Sequence, residues 1–389
     1  MPGAESGHAV MPSERRSAVI SNDDHFQRLT NWLKMESEAE RRQIEERRQG
    51  RKKADAEKSG ETLLDLAITE QEPGLGGRTL LTLVKRNRTL RLPWNRLRVG
   101  APVVLSPEDV SGDSRQGVVS ARRRDSIEVS VEESPEGDRF RLDLAADEIT
   151  RKRQAAALRA AKSAGGRTGE LRDVLLGERE PQFLELPELE FAATLNPSQQ
   201  QAVRSALASE DLAIIHGPPG TGKTTTVVEL ISHAIDQGQK VLACAPSNTA
   251  VDNLLQRLVA SGKKVVRVGH PARVDQRLRE FTLDFQVAKH EMMDIVRDML
   301  REAEGLFRKA GKFTRARPAP GAKQEMRREA RRLKADARLL EQHAVQSVLD
   351  RADVVCATTT LNEELFGDRR FGLAVIDEAC QSTEPGCWI

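Results

Sequence analysis

Residues 212–235, LAIIHGPPGTGKTTTVVELISHAI, leave a chain few ways to fold. A short apolar, β-branched run leads into eight residues of the form G-x-x-x-x-G-K-T, and then into a segment of helical periodicity. Glycine at the first, fourth and sixth loop positions lets the backbone take left-handed angles and turn successive N–H groups inward. At a helix N-terminus this makes an anion cradle, and the lysine suits it to a nucleoside triphosphate. The loop comprises Gly217, Pro218, Pro219, Gly220, Thr221, Gly222, Lys223 and Thr224, with Thr225 following in the first helical turn. Lys223 is expected to neutralise the β and γ phosphates, and the Thr224 hydroxyl to ligate Mg²⁺.

A strand–loop–helix unit needs a sheet to belong to. After residue 195 the apolar runs LAIIHG (212–217), KVLACAP (240–246), KVVRVG (264–269), ADVVCATT (352–359) and FGLAVIDEA (371–379) mostly alternate with helical stretches. That rhythm predicts an α/β fold with a parallel sheet covered on both faces. The last run puts Asp377 and Glu378 at the end of a buried-type strand, where carboxylates are costly without a task. Downstream of a phosphate loop, Asp377 is expected to hold Mg²⁺ through its water shell and Glu378 to orient an attacking water. The plainer alternative is a pair of solvated strand-end acids. His216 is read as packing at a strand end, with no chemical role.

The remaining chain divides by texture. Residues 1–20 are expected to be a disordered leader. A stalk helix is predicted over 21–60, with Phe26, Leu29 and Leu33 on one stripe and Asn22 or Asp23 as its cap. Over 61–145 the runs TLLTLVKR, APVVLS, QGVVSA, SIEVSVEE and RFRLDLA predict about five short strands and a small β-barrel or sandwich. Basic residues crowd this region (Lys85, Arg86, Arg88, Arg91, Arg122, Arg123, Arg124), as a solvated face or as a nucleic-acid contact. Residues 146–193 read as a second stalk helix and linker, and 194–389 as the nucleotide-binding α/β domain. A helical insertion at 281–350 interrupts that domain. Between residues 305 and 338 it carries twelve Lys or Arg against three Asp or Glu, the pattern of a helical hairpin with a basic tip.

Composition adds limits. Lys plus Arg number 61 against 59 Asp plus Glu, so the net charge of +2 selects no partner. The four cysteines form no CxxC pair, and the histidines show no zinc-ligand spacing. With no signal-like or membrane-length apolar segment, the expectation is a cytoplasmic protein with reduced thiols and no membrane contact. With no tyrosine and few other aromatics, no base-stacking platform stands out, and contacts to a polymer backbone are expected to dominate.

LNPSQQQAV (195–203), GPPGTGKTTT, VLACAPSNTAVDNLLQRL (241–258), VVRVGHPARV (265–274), VVCATTTL (354–361) and VIDEACQSTEP (375–385) resemble, in order, the motifs of superfamily 1 helicases. The resemblance is strongest to the branch containing the nonsense-mediated-decay RNA helicase and the immunoglobulin-mu-binding-protein helicase. It implies a RecA-like parallel sheet, a β-barrel carried on a helical stalk, and an inserted helical subdomain. ATP and Mg²⁺ are implied as ligands, single-stranded DNA or RNA as partner, and a monomer as the working unit. Gln199 is then the candidate reader of the adenine edge, and Gln381 the residue coupling the γ-phosphate site to an opposite domain. Pro246, Ser247 and Asn248, with Thr358 and Thr359, fall where the family touches the single-stranded backbone, where small polar side chains suit positioning without base readout.

The resemblance also implies parts that these 389 residues do not contain: a central strand with a phosphate-sensing motif, and a second RecA-like domain, in the same frame or separately encoded, whose arginines reach the γ-phosphate. The sheet is accordingly expected to be incomplete, and the chain alone inactive in hydrolysis. Two readings stay open: the N-terminal half of an ATP-dependent translocase, or a fragment that binds nucleotide and nucleic acid without turnover.

Overall fold

The computed structural model describes residues 22–49, 57–74, 78–108, 114–145, 148–191, 195–311 and 321–389. The expected leader and most of the hairpin turn, 312–320, lie outside the described residues.

Short β-branched runs with alternating burial close into a six-stranded antiparallel barrel. Its strands are β1 (Thr62–Pro73), β2 (Thr79–Lys85), β3 (Pro102–Pro107), β4 (Arg115–Arg122), β5 (Ser126–Val131) and β6 (Phe140–Leu144), in ring order β1-β2-β5-β4-β3-β6. Leu63, Leu81, Leu83, Leu105, Ile127, Phe140 and Leu142 fill the interior, all 0–1% exposed. Truncating any of the leucines to Ala is worth roughly 2–5 kcal/mol. Six strands form where the sequence suggests about five. The one missed is β1, whose pattern is broken by Asp65. That residue takes a left-handed φ of 53° at a register shift, which lets both Leu63 and Leu66 point inward. Its N–H donates to Glu108 (2.6 Å), and its carboxylate pairs with Arg139 at 3.0 Å.

Two helices carry the barrel. On α1 (Asn22–Gln49) the stripe Phe26, Leu29 and Leu33 packs on Leu158 and Ala161 of α2 (Glu148–Lys162). Asn22 is not spent on a cap: its amide donates to Glu178 at 2.7 Å, just beyond α3 (Gly166–Leu175). The same cluster takes in Trp388, whose ring meets Phe26 edge-on at 5.3 Å, while His25 bonds Glu384 at 2.6 Å.

The second layer system is a four-stranded parallel sheet of order β10-β7-β9-β8, built from β7 (Val241–Ala245), β8 (Val265–Arg267), β9 (Val354–Thr358) and β10 (Leu373–Ile376). Strand alternation sorts its two faces. Val241, Ala243, Ala245, Val354 and Cys356 pack under α4 (Pro197–Ala208), α5 (Lys223–Asp236) and α6 (Asn248–Ala260), mainly through Ile231, Val251, Leu254 and Leu258. Cys244, Val266, Val355 and Ala357 face α7 (Leu283–Ala288), α8 (Met292–Gly311) and α9 (Ala322–Arg351). The last two form the expected antiparallel-type hairpin, with Lys334 over the Phe307 ring. Burial in this slab pushes the Cys244 and Cys356 thiols up to about 12, so neither is reactive, whereas Cys380 and Cys387 are exposed.

One strand expectation is corrected. Residues 212–217 join no ladder, and Ile214 is 82% exposed. Ile215 and Leu373 of β10 pack on the same small cluster of Leu195, Val203 and Leu230. β10 is an edge strand, with Ala374 and Ile376 exposed. An apolar run becomes a strand only when a neighbouring strand takes its backbone groups, and none does so for 212–217 among the described residues.

The barrel touches the α/β domain beside β8. Arg273 donates to the Gly100 carbonyl, and His270 lies 3.4 Å from the Ser120 hydroxyl. Burial, with the Arg78 and Arg273 guanidiniums nearby, pushes the His270 imidazole down to about 4, so it stays neutral. No described helix is long and apolar enough to cross a membrane.

Candidate active site

The phosphate loop is held open by its own geometry. Gly220 and Gly222 take φ of 82° and 80°, the left-handed region where any side chain is strained, and Gly222 caps α5. A Cβ on Gly222 would lie 2.5 Å from the Gln199 amide nitrogen. The N–H groups of Gly220, Gly222, Lys223 and Thr224 donate to nothing among the described residues. The Thr224 hydroxyl likewise has no partner. Lys223 donates to the carbonyls of Gly217 (2.8 Å) and Pro218 (3.1 Å), and Thr221 Oγ1 to Pro218 (2.8 Å). Unpaired donors, a lysine on a short tether and the α5 dipole together make a cradle for an anion.

Gln199 lies against this loop and is held by three hydrogen bonds. Asn196 caps α4 by accepting from the Gln199 N–H, and Gln199 Oε1 accepts from the Asn196 N–H, each at 2.9 Å. Its Nε2 donates to Thr221 O at 3.0 Å. Beyond these bonds its amide keeps a second Nε2 hydrogen and a second Oε1 lone pair, the donor and acceptor that an adenine edge would need. Thr225 is also engaged, accepting from Arg257 of α6 at 3.0 Å.

The acid pair stands at the C-terminal end of β10. Asp377 extends the ladder through its N–H to Cys244 O (2.8 Å) and is only 8% exposed. Burial raises its carboxyl pKa, the Glu378 carboxylate adds to this, and the positive charges of Lys223 and Arg257 oppose it. The loop lysine and the strand-end acid are therefore within electrostatic reach of one another. Glu378 sits at φ 55°, a strained position for a side chain of its size. Gln381 holds it from two directions, through Nε2 to Glu378 Oε2 (3.0 Å) and through its N–H to Glu378 O (2.9 Å). His216 is exposed, correcting the expectation that it packs at a strand end.

The segments expected to touch nucleic acid share one sheet edge with the acids. Ala245 pairs with Thr358, so Pro246, Ser247 and Asn248 leave β7 beside the end of β9, and β10 ends next to β7. In open α/β sheets that carboxyl edge is where ligands bind. Ser247 caps α6, accepting from Ala250 N at 3.2 Å. Thr358 shares a hydroxyl contact with Thr360 (3.2 Å), whereas Thr359 is 7% exposed and turned inward. Arg153 of α2 reaches this loop at Thr360 O (2.8 Å).

Sequence reading missed the group beneath Asn248. Arg267 is entirely buried at the end of β8; it donates to Asp252 (3.2 Å), to Val268 O and to Asn248 Oδ1 (2.8 Å). Asp252 also accepts the Asp275 N–H at 2.9 Å. An arginine inside an apolar strand run is the available signal, because a buried guanidinium must find a carboxylate. Arg257 carries no such signal: only the packing of α6 on α5 brings it to the loop.

Residues 194–389 match the family described as AAA domain, and residues 27–151 that described as Helicase SMUBP-2/HCS1, 1B domain. The chain is 37% identical over 377 residues to the DNA-binding protein SMUBP-2 of Rattus norvegicus, covering 92% of this chain and 37% of that protein. It is 36% identical over 200 residues to the DNA polymerase alpha-associated DNA helicase A of Schizosaccharomyces pombe (51% of this chain, 30% of the relative). It is also 35% identical over 199 residues to the Regulator of nonsense transcripts 1 homolog of Arabidopsis thaliana (50% and 14%). The chain thus spans 37% of the length of the SMUBP-2 relative.

Proposed function

Because the chain belongs to the Upf1-like branch of the superfamily 1 helicases, we propose that it forms the ATP-binding part of an ATP-dependent translocase on single-stranded DNA or RNA. The observation that carries this reading is the buried Asp377 carboxyl within electrostatic reach of Lys223, beside a loop whose N–H groups are unpaired.

The four free N–H groups and Lys223 bind the phosphates, the lysine exchanging two loop carbonyls for phosphate oxygens. Thr224, whose hydroxyl is unpartnered among the described residues, and Asp377 would offer hard oxygen donors, a set that fits Mg²⁺. When bound, the ion would neutralise charge between the β and γ phosphates. Glu378, pinned by Gln381, holds the water that attacks the γ-phosphorus. Because Gln381 leans on Glu378, movement of its segment would reset that water. Of the expected polymer contacts, Pro246, Ser247, Asn248 and Thr358 lie on the same sheet edge as the acid pair, whereas Thr359 is buried there.

Lys223→Ala tests the phosphate site. Losing a charge-assisted contact of this kind should weaken binding of a fluorescent ATP analogue by about tenfold or more, while oligonucleotide binding without nucleotide stays unchanged. Undiminished nucleotide affinity would sink the assignment. A second reading, binding without turnover, is favoured by the edge position of β10, which pairs only with β7 among the described residues. Single-turnover hydrolysis by the chain alone decides between them.

A further inference from the structure

We propose that the barrel carries its own base-stacking site for single-stranded nucleic acid, built on Trp94 in the loop between β2 and β3 and ringed by arginines. The proposal rests on the nucleic-acid reading above and names a contact separate from the sheet edge.

Residues 86–98, RNRTLRLPWNRLR, contain five arginines and no acid. Packing sorts the apolar side chains of this loop into two sets. Leu97 is fully buried and Leu92 packs against the barrel core, which clamps the loop down. Leu90 and Trp94 are turned out, 54% and 65% exposed. The indole is not loose. Its benzo edge is pressed on Gly60, where a Cβ would lie 2.5 Å from Trp94 Cζ3. The chain on either side is fixed by Arg96 N–H to Gly60 O (2.6 Å) and Asn95 Nδ2 to Pro93 O (2.9 Å). The Arg96 guanidinium stands 5.7 Å from the ring centroid.

The cations around the ring are available. Arg91 and Arg96 make only long, exposed pairs, with Asp125 (3.7 Å) and Glu61 (3.8 Å). Arg86, Arg88 and Arg98 are exposed and have no carboxylate partner among the described residues. The Arg91–Asp125 pair also brings the exposed turn of Arg122, Arg123 and Arg124 alongside. A rigid aromatic face inside a field of exposed, at most weakly paired arginines matches a polyanion whose bases can stack. The apolar part, one indole and one leucine, is too small for a stable protein interface, which needs roughly 800 Å² a side. No amphipathic helix is present here to lie in a membrane surface.

The test is fluorescence anisotropy of a labelled mixed-sequence single strand, without nucleotide and over a range of salt. Trp94→Ala should bind about 5- to 150-fold more weakly, the range for losing one stacked base, at an unchanged salt slope. Trp94→Phe should stay within about threefold of the parent by keeping a ring. Arg88→Ala and Arg98→Ala should each lower the slope by roughly one. A blunt duplex, whose bases are already stacked, should show no loss with Trp94→Ala. Single-strand affinity unchanged by Trp94→Ala overturns the proposal, as does an equal loss on duplex. Binding of the fluorescent ATP analogue, measured on the same variants, separates this outcome from failure of the motor reading: Trp94→Ala leaves it intact, whereas Lys223→Ala does not.

Discussion

Replacing Asp252 by Ala probes the hidden support of the sheet edge. Arg267 is 0% exposed, and Asp252 is the only carboxylate bonded to it among the described residues. Removing that partner leaves a guanidinium buried with two carbonyl-type acceptors and no counter-charge, a loss of about 3–5 kcal/mol. The part-buried Asp275 N–H also loses its acceptor, which adds to the loss. A loss of that size is a large fraction of a typical stability of roughly 5–15 kcal/mol. In urea, with an m of about 3 kcal/mol per M, the midpoint should fall by about 1–1.7 M without a change in m. The double variant Asp252→Leu with Arg267→Met replaces the pair by apolar groups and should recover most of the lost stability. It should not recover single-strand affinity, because Asn248 has lost the guanidinium that aims it. A midpoint shift worth less than about 1 kcal/mol for Asp252→Ala, or a double variant no more stable than the single, would refute the reasoning.

Asp284, at the start of α7, offers a pH test. Burial lifts its carboxyl from 3.8 to about 6, Glu341 adds to the rise, and Arg78 of the barrel opposes it. A raised acid stabilises the fold only while protonated, so its contribution is full below about 4 and lost as pH climbs through about 6. Asp284→Asn should therefore match the parent at pH 4 and exceed it at pH 8, by at most about 3 kcal/mol in urea unfolding; an equal gain at both pH values would exclude titration as the cause. On the hairpin, the joint change Arg327→Glu, Arg331→Glu and Arg338→Glu removes exposed cations. It should flatten the salt dependence of oligonucleotide binding by roughly one unit of slope per lost phosphate contact. An unaltered slope would make that face ordinary solvated surface.

The phosphate loop and the acid pair were legible in the linear chain because each is a local device. Glycines at 220 and 222 encode their own left-handed turns, and Lys223, Thr224 and Asp377 are recognisable by what precedes them. Both faces of the slab were legible too, since alternation in VLACA and VVCAT sorts side chains without help from outside. The strand β1 was not, because its register shift at Asp65 depends on Glu108 and Arg139, which are distant in sequence.

By itself, then, the sequence determined a glycine-rich loop opening a helix, a small β-rich unit and a stalk, all written in short-range periodicity and turn chemistry. Tertiary structure alone decided that residues 212–217 stay unpaired, that Arg267 braces Asn248, and that Trp94 faces out while Leu97 of the same loop faces in. Those outcomes turn on which neighbour supplies a hydrogen bond or covers an apolar surface, and a neighbour from elsewhere in the chain exists only once the fold has formed.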